Sequence, residues 1–252
     1  MNRIHWLDPA QPAQPFPPLD AAMREPDGLL AAGGDLSVTR LLNAYRHGTF
    51  PWYEEGQPIL WWSPDPRAIL YPHALRITRS LRKTLRNRPY TVRFDTCFPD
   101  VMRACAAPRP DQDGTWITPD MLKAYTALHE AGHAHSVEVF DGDGGLAGGL
   151  YGVSIGQVFF GESMFSAMRD GSKIALVWLA CHLEHWGYRI IDCQQATVHM
   201  MAMGAQCIPR DRFAAMLERY CPEPGQPAPW SVDPALDVPA WQPGETPITS
   251  RS

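Results

Sequence analysis

Three polar side chains, Glu162, Asp192 and Gln194, could do chemistry because each lies at the end of an apolar stretch. Asp192 and Gln194 are two residues apart, so on a β-strand their side chains share one face. An amide beside a carboxylate can position a group that the carboxylate deprotonates. The same spacing also suits a buried polar network that merely ends a strand, and spacing alone favours neither. Cys193 would face the other side, and with no base evident it is interpreted as a core thiol.

The stretch from Gly148 to Gln194 predicts the elements that position these side chains. Its first part reads as two short strands joined by a tight turn at residues 154–157. Residues 172–186 are apolar on nearly every side, which is typical of a buried helix, and Ser172 would be its N-cap. Residues 188–194 predict a further strand. Strand ends beside a buried helix are common places for functional groups.

Residues 76–88, RITRSLRKTLRNR, carry six basic side chains and no acidic one in a protein of net charge −5. Ile77, Leu81 and Leu85 recur every four residues, which predicts a helix with one buried stripe and cations around it. A solvated helix face is the usual explanation for a charge run, but the missing acids favour contact with a phosphate backbone. The candidate phosphate ligands are Arg76, Arg79, Arg82, Lys83 and Arg86.

Aromatic residues are dense between Phe50 and Trp62. Most of these rings are expected to form the core of a small subdomain. Trp52 is the candidate for stacking on a base because it follows a proline in an expected loop. Trp116 and Tyr125 are further possible ring contacts, with core packing as the alternative.

Residues 129–133 spell HEAGH, which matches the H-E-x-x-H pattern of zinc proteases. That pattern works only when both histidines project from one continuing helix. Gly132 falls inside the motif and a strand pattern begins at Ser136, so we expect the helix to end at Gly132. His135 is close to the motif in sequence, but we do not expect it to act as a third zinc ligand. No metal site is predicted.

Length and composition bound the remaining possibilities. The 252 residues suit one large domain, or one domain with a small appendage. The six cysteines form no CxxC pair, which favours a reduced, cytoplasmic protein, and neither a leader peptide nor a membrane span is expected. Neither a P-loop nor a dinucleotide-binding fingerprint occurs. Many of the 25 prolines lie near the termini, which predicts extended or mobile ends.

The pattern as a whole predicts an α+β fold. A hairpin over residues 136–153 and strands at 157–161 and 189–192 would form a mostly antiparallel sheet. Helices at 118–132 and 172–186 would back it.

Seven motifs resemble those of the leucyl/phenylalanyl-tRNA–protein transferase family, in order, over about residues 16–218. They are WWSPDPRAIL (61–70), GTWIT (114–118), HEAGHAHSVE (129–138), GGLYGV (148–153), FFGESMFS (159–166), DCQ (192–194) and GAQCIPR (204–210). The resemblance implies a small N-terminal domain at 1–70 and an acetyltransferase-like (GNAT-like) catalytic domain at 71–222. The proline content predicts a mobile tail at 223–252.

The resemblance also implies an activity: transfer of Leu or Phe, and less well Met, from aminoacyl-tRNA to proteins that begin with Arg or Lys. Such a transfer marks those proteins for degradation by the N-end rule. The expected partners are aminoacyl-tRNA and the acceptor protein. A cytoplasmic monomer without cofactor, metal or membrane contact is expected.

For this activity the residues suggest a mechanism in which Asp192, oriented with Gln194, would hold the acceptor amine and accept its proton directly or through the amide and water, while Glu162 would offer negative charge to the amine or to the acceptor's cationic first residue. The family resemblance implies further site residues. Trp52, Trp116 and Tyr125 would hold the terminal adenosine. The pocket for the donor side chain would be lined by Leu150, Phe159, Met164, Leu176, Leu179 and Ile191.

Two alternatives remain open at this point. One is an acyl-CoA-dependent N-acetyltransferase on the same fold, although its pyrophosphate-binding loop is missing from residues 167–173. The other is a non-catalytic RNA-binding module that uses the basic helix and exposed tryptophans.

Overall fold

The computed structural model describes residues 4–107 and 115–244, which form eleven β-strands and seven α-helices. Residues 1–3 and 245–252 of the expected outer domains, and Gly114 of the GTWIT motif, lie outside the described residues. The strands are β1 (His5–Leu7), β2 (Leu29–Gly33), β3 (Phe50–Pro51), β4 (Leu60–Trp62), β5 (Arg67–Leu70), β6 (Tyr90–Phe94), β7 (Ala134–Asp141), β8 (Leu146–Ile155), β9 (Val158–Ser166), β10 (Ile190–Gln194) and β11 (Gln206–Ile208). The helices are α1 (Val38–His47), α2 (Arg79–Asn87), α3 (Phe98–Ala106), α4 (Pro119–Glu130), α5 (Gly171–His185), α6 (Val198–Ala202) and α7 (Arg210–Tyr220).

The strands form two mixed sheets. A four-stranded sheet in the first part of the chain has the order β1-β2-β4-β3, and a seven-stranded sheet has the order β11-β5-β10-β9-β8-β7-β6. Neighbours in the larger sheet are antiparallel, as expected, except for the parallel pair β9–β10. Because β5 belongs to the larger sheet, that sheet begins at Arg67, a few residues before the expected domain boundary at residue 70.

The parallel pair opens partway along its length. β9 and β10 pair only as far as Phe160 and Asp192, although both strands continue. Beyond that point each strand carries a bulge: Glu162 is the extra residue of β9 relative to β8, and Cys193 is the extra residue of β10 relative to β5. Gln194 then has a left-handed φ of 61°. Bulges re-aim side chains and end pairing, so the two strands part next to Glu162 and Gln194.

Each face of the large sheet is covered by its own hydrophobic cluster. The first cluster joins α1, α3 and α4 to the sheet through Tyr45, Tyr125 and Phe160, among others. The second cluster joins α2 and α5 to the opposite face, where Phe159 and Ile191 contribute. The alternation of Phe159 and Phe160 along β9 divides the two faces, as the period of a strand requires.

Helix α5 is buried along most of its length, as its apolar sequence predicts. Its start differs from the prediction: the N-cap is Asp170 with a φ of 65°, and Ser172 lies inside the helix. The Ser172 amide donates instead to Ser166 Oγ, at 2.8 Å. Gly148 of β8 allows the close approach of this turn, since a Cβ there would lie 2.6 Å from Gly171 Cα.

Residues 222–244, here called the C-terminal segment, pack against the second cluster. Trp230, Val238 and Trp241 are at most 4% exposed. Trp230 stacks on His135 with ring centroids 3.7 Å apart. This differs from the mobile tail expected from residue 223 onward. Frequent prolines interrupt helices and sheets, but they do not prevent the apolar residues between them from being buried.

None of the helices in the described ranges combines the length and apolar character needed to cross a membrane.

Candidate active site

A cavity of about 930 Å³ lies where β9 and β10 part. Side chains from β8, β9, α5 and β10 line it, and Glu162 borders it as well. All six residues predicted for the donor pocket are among the lining: Leu150, Phe159, Met164, Leu176, Leu179 and Ile191. That these side chains bind the donor's amino-acid side chain stays a prediction.

Glu162 is held by three neutral hydrogen-bond donors. Tyr45 Oη donates to Glu162 Oε1 at 2.7 Å, and Tyr125 Oη donates to Oε2 at 3.0 Å. Gln194 Nε2 donates to Oε1 at 2.9 Å. The hydroxyls of Tyr45 and Tyr125 are also adjacent to each other, but when both donate to Glu162 neither has a proton left for the other. Helices α1 and α4 thus deliver two buried phenols to one carboxylate that borders the cavity.

The surroundings of Glu162 change its proton affinity. Burial raises the pKa of Glu162 from its ordinary value of 4.5 to about 7, although the hydrogen bonds from Tyr45 and Tyr125 act to lower it. The nearby charge of Asp192 also raises this pKa, and that of Arg67 lowers it. Glu162 therefore populates both protonation states near neutral pH.

Asp192, on the neighbouring strand, also borders the cavity, but its side chain is bound by a cation. Its side chain has 0% exposure and forms two hydrogen bonds with Arg67: Nε to Oδ1 at 2.8 Å and Nη2 to Oδ2 at 2.7 Å. Asp192 Oδ1 also accepts from the backbone amide of Gln194, at 2.9 Å. Both oxygens already accept hydrogen bonds, and the role of Asp192 as the group that takes the proton stays a prediction. Its geometry is that of a group that positions Gln194.

Arg67 is equally enclosed. Its guanidinium lies between the rings of Phe50 and Phe213, 4.8 and 4.7 Å from their centroids. It also donates to the carbonyl of Gly48, at 3.2 Å. Gly48 ends α1, the helix that carries Tyr45, so Arg67 links the end of that helix to β10. Sequence reasoning missed Arg67 and Tyr45, and no local pattern distinguishes either from an ordinary core residue.

The predicted side-chain directions along β10 agree with the structure. Cys193 packs with the second cluster, whereas Gln194 reaches Glu162 on the other face. Burial raises the pKa of the Cys193 thiol far above its ordinary value, which keeps the thiol protonated and supports the interpretation as a core residue.

The three predicted adenosine contacts have different environments. Trp52 is 43% exposed, and its ring packs edge-on against Trp62 with centroids 5.5 Å apart. Trp116 is partly buried against the first cluster. Tyr125 is fully buried, so its ring has no free face for a base, and the prediction for this residue is corrected: it is a ligand of Glu162.

Helix α2 presents most of the predicted basic surface. Arg76, Arg79, Lys83 and Arg86 are exposed, and none has an acidic partner within the ranges that the structure describes. Arg82 is different, because its guanidinium donates to the Trp241 carbonyl at 3.0 Å and to Gln242 Oε1 at 2.6 Å. The prediction that Arg82 binds phosphate is corrected, since this side chain is already engaged by the protein itself.

The zinc-like motif lacks the continuous helix that a zinc-protease site requires. Helix α4 ends at Glu130, and Gly132 has a φ of 79°, so the two histidines of the motif leave the common helical face as predicted. His129 Nδ1 instead bonds the Ala134 carbonyl at 2.8 Å. Within residues 4–107 and 115–244, no cluster of three or more His, Cys, Asp or Glu side chains could hold a metal ion.

Comparison of the sequence with known proteins identifies a matching family. The model for the leucyl/phenylalanyl-tRNA protein transferase matches residues 69–218, and the model for the N-terminal domain of that transferase matches residues 34–65. A leucyl/phenylalanyl-tRNA–protein transferase from Nitrosomonas europaea is 60% identical over 219 residues, which cover 87% of this chain and 92% of the relative. One from Pseudomonas syringae pv. syringae is 57% identical over 229 residues, which cover 91% and 98% of the two chains.

Among solved structures, L-PGS from Bacillus licheniformis superposes with a TM-score of 0.39 at 12% identity, over 54% of this chain and 49% of that chain. That similarity is too low to support any structural conclusion. The sequence matches, by contrast, extend over most of both chains at high identity. This chain belongs to the leucyl/phenylalanyl-tRNA–protein transferase family.

Proposed function

We propose that this protein transfers leucine or phenylalanine, and less well methionine, from aminoacyl-tRNA to the N-terminal amine of proteins that begin with Arg or Lys. It is an aminoacyltransferase by family membership. The observation that carries the proposal is the meeting of an apolar pocket and a carboxylate of raised pKa in one cavity. The product would be marked for N-end rule degradation. The reaction belongs in the cytoplasm, with the protein acting as a monomer.

The opening of the β9–β10 pair supports the assignment of residues 71–222 as a GNAT-like catalytic domain, with the cavity between the parted strands as its active site. Family membership favours a tRNA-linked donor over acyl-CoA.

The apolar wall would bind the donor side chain. Leu176 and Leu179 approach from α5, and Met164 from β9 adds a flexible side chain that adapts to several shapes. A hydrophobic pocket discriminates by only about 1–3 kcal/mol per methylene. This limit accounts for a choice that accepts Leu and Phe and tolerates Met.

The chemistry is aminolysis of an ester. The nitrogen of the acceptor amine attacks the carbonyl carbon of the aminoacyl group, a C–N bond forms, and the C–O bond to the terminal ribose breaks. The amine loses a proton and the ribose oxygen gains one. The ester is already activated, so positioning and one proton transfer supply most of the catalysis.

Glu162 is the proton acceptor in this proposal. A general base works best when its pKa lies near the working pH, and the pKa of Glu162 is raised to about 7 by burial. Its negative charge would also attract the cationic end of the acceptor. Gln194 would keep the carboxylate oriented, and the ion pair of Asp192 with Arg67 would fix the backbone of Gln194.

The tRNA would bind at two places. Trp52 and Trp116 would hold the terminal adenosine. The exposed cations Arg76, Arg79, Lys83 and Arg86 would bind phosphates of the acceptor stem. Contacts to phosphate do not depend on nucleotide sequence, which suits an enzyme that accepts more than one tRNA.

The deciding experiment mixes the protein with tRNA carrying radiolabelled Leu or Phe and a protein that begins with Arg. Label should appear on the acceptor. The matched control is the same acceptor with its N-terminal amine acetylated, which should take up no label because its nitrogen is no longer nucleophilic. Absence of label on the free-amine acceptor would overturn the proposal.

A further inference from the structure

Helix α2 depends on neighbouring segments for its position. It has only nine residues, of which Leu81 and Leu85 are buried, and isolated helices shorter than about 12–15 residues are marginal in water. On one side Thr84 Oγ1 donates to Asp170 Oδ2 at 3.1 Å. On the other side Arg82 makes its two hydrogen bonds to the C-terminal segment.

The C-terminal segment is in turn attached to α5. Trp241 is 4% exposed, and its Nε1 donates to Glu184 Oε2 at 3.1 Å. The Gly244 amide donates to the other oxygen of Glu184 at 3.2 Å. Because Leu176 and Leu179 of the same helix line the cavity, the segment connects the basic helix to the helix that forms the pocket.

We propose that Arg82 and the C-terminal segment are positioning elements that hold the basic surface of α2 at a fixed place relative to the aminoacyl pocket. Arg82 uses its guanidinium on the chain's own Trp241 and Gln242, while its exposed neighbours bind phosphate. The inference rests on the proposed function. When phosphates and the aminoacyl group bind at once, a shift of about 1 Å between their sites can cost about a hundredfold in rate.

The test compares two donors: complete Phe-tRNA, and phenylalanyl-adenosine, which has the reacting ester but no stem phosphates. Arg82→Ala and Trp241→Phe should lower kcat/KM about ten- to a hundredfold with Phe-tRNA and leave it unchanged with phenylalanyl-adenosine. Trp241→Phe keeps an aromatic ring at this position and removes the indole N–H that donates to Glu184, together with part of the buried ring. An equal loss with both donors, or no loss with Phe-tRNA, would overturn the inference.

The salt dependence of tRNA binding separates positioning from direct contact. Lys83→Ala, the matched control on the same helix, should reduce the slope of log K against log salt by about one. Arg82→Ala should weaken binding at every salt concentration with the slope unchanged. A slope reduced by about one for Arg82→Ala would make Arg82 a phosphate ligand and contradict the inference.

Hydrogen exchange distinguishes failure of this inference from failure of the proposed function. If the wild-type protein transfers from neither donor, the proposed function fails, but the positioning role is still tested. Arg82→Ala should then speed amide exchange over helix α2 (residues 79–87) and leave the amides of the seven-stranded sheet protected. Unchanged protection of those amides would overturn the positioning role by itself.

Discussion

Two carboxylates on neighbouring strands show how one sheet creates two kinds of polar region. Both border the cavity, but Asp192 is bound by the cation Arg67, whereas Glu162 is bound by the neutral groups of Tyr45, Tyr125 and Gln194. Burial without a directly bonded cation raises the pKa of Glu162 to about 7. The first arrangement fixes shape, and the second allows proton exchange.

The largest effect is expected from breaking the ion pair between Arg67 and Asp192. Arg67→Met should lower the free energy of unfolding by about 3–5 kcal/mol, because it leaves the Asp192 charge buried and unpaired. Met retains apolar contact with the two flanking rings. Urea denaturation measures the change. The control is Arg103→Met, which removes an exposed pair with Asp100 and should cost at most about 1 kcal/mol.

Replacing Glu162 should affect the rate of transfer more than the stability of the fold. Glu162→Gln keeps the size of the side chain and removes the base, so kcat should fall about 10²–10⁴-fold while the protein remains folded. Single-turnover transfer from Phe-tRNA measures the loss. Glu130→Gln, an exposed change at the end of α4, is the control. A fall of less than about tenfold would show that Glu162 is not the proton acceptor.

The raised pKa of Glu162 also predicts a pH dependence of stability. Below its ordinary value of 4.5 this carboxyl is protonated in both the folded and the unfolded protein. Between 4.5 and about 7 the folded state holds the proton more tightly. Its contribution to the free energy of unfolding therefore falls as pH rises through this window, by at most about 1.4 kcal/mol per pH unit.

Comparing wild type with Glu162→Gln by urea denaturation at pH 5, 6, 7 and 8 isolates this contribution, because the variant lacks the titrating group. As pH rises, the free energy of unfolding of the wild type should fall relative to that of Glu162→Gln. A constant difference would contradict the raised pKa.

The smallest effect is expected from removing a tyrosine hydroxyl that bonds Glu162. The hydrogen bond from Tyr45 lowers the pKa of Glu162, so Tyr45→Phe should raise that pKa. The corresponding limb of the pH–rate profile should move up by about one pH unit. Tyr188→Phe is the control, since its hydroxyl bonds Ser154 at 2.7 Å on the far side of the sheet. If this limb of the pH–rate profile does not move, it reports the titration of a group other than Glu162.

The same contrast explains what the sequence could predict. The alternation along residues 148–161 and the apolar run at 172–186 are local, so the strands and the buried helix were predictable, whereas the pocket residues were implied only by the family resemblance. The partner of Asp192 lies 125 residues away in sequence, and no local period connects it to Arg67. The buried hydroxyls of Tyr45 and Tyr125 look like ordinary apolar positions of two helices until the fold joins them. Asp170 replaces Ser172 as the N-cap because Ser172 is already bonded to Ser166.

The packing of the C-terminal segment has a consequence for how the molecule can be shortened. The family model ends at residue 218, yet the ring of Trp230 lies 5.9 Å from that of Phe159, which lines the cavity. Trimming the chain to the matched range would remove the packing behind that cavity wall and uncover His135. We therefore expect the smallest unit that folds to extend beyond the range by which its family is identified.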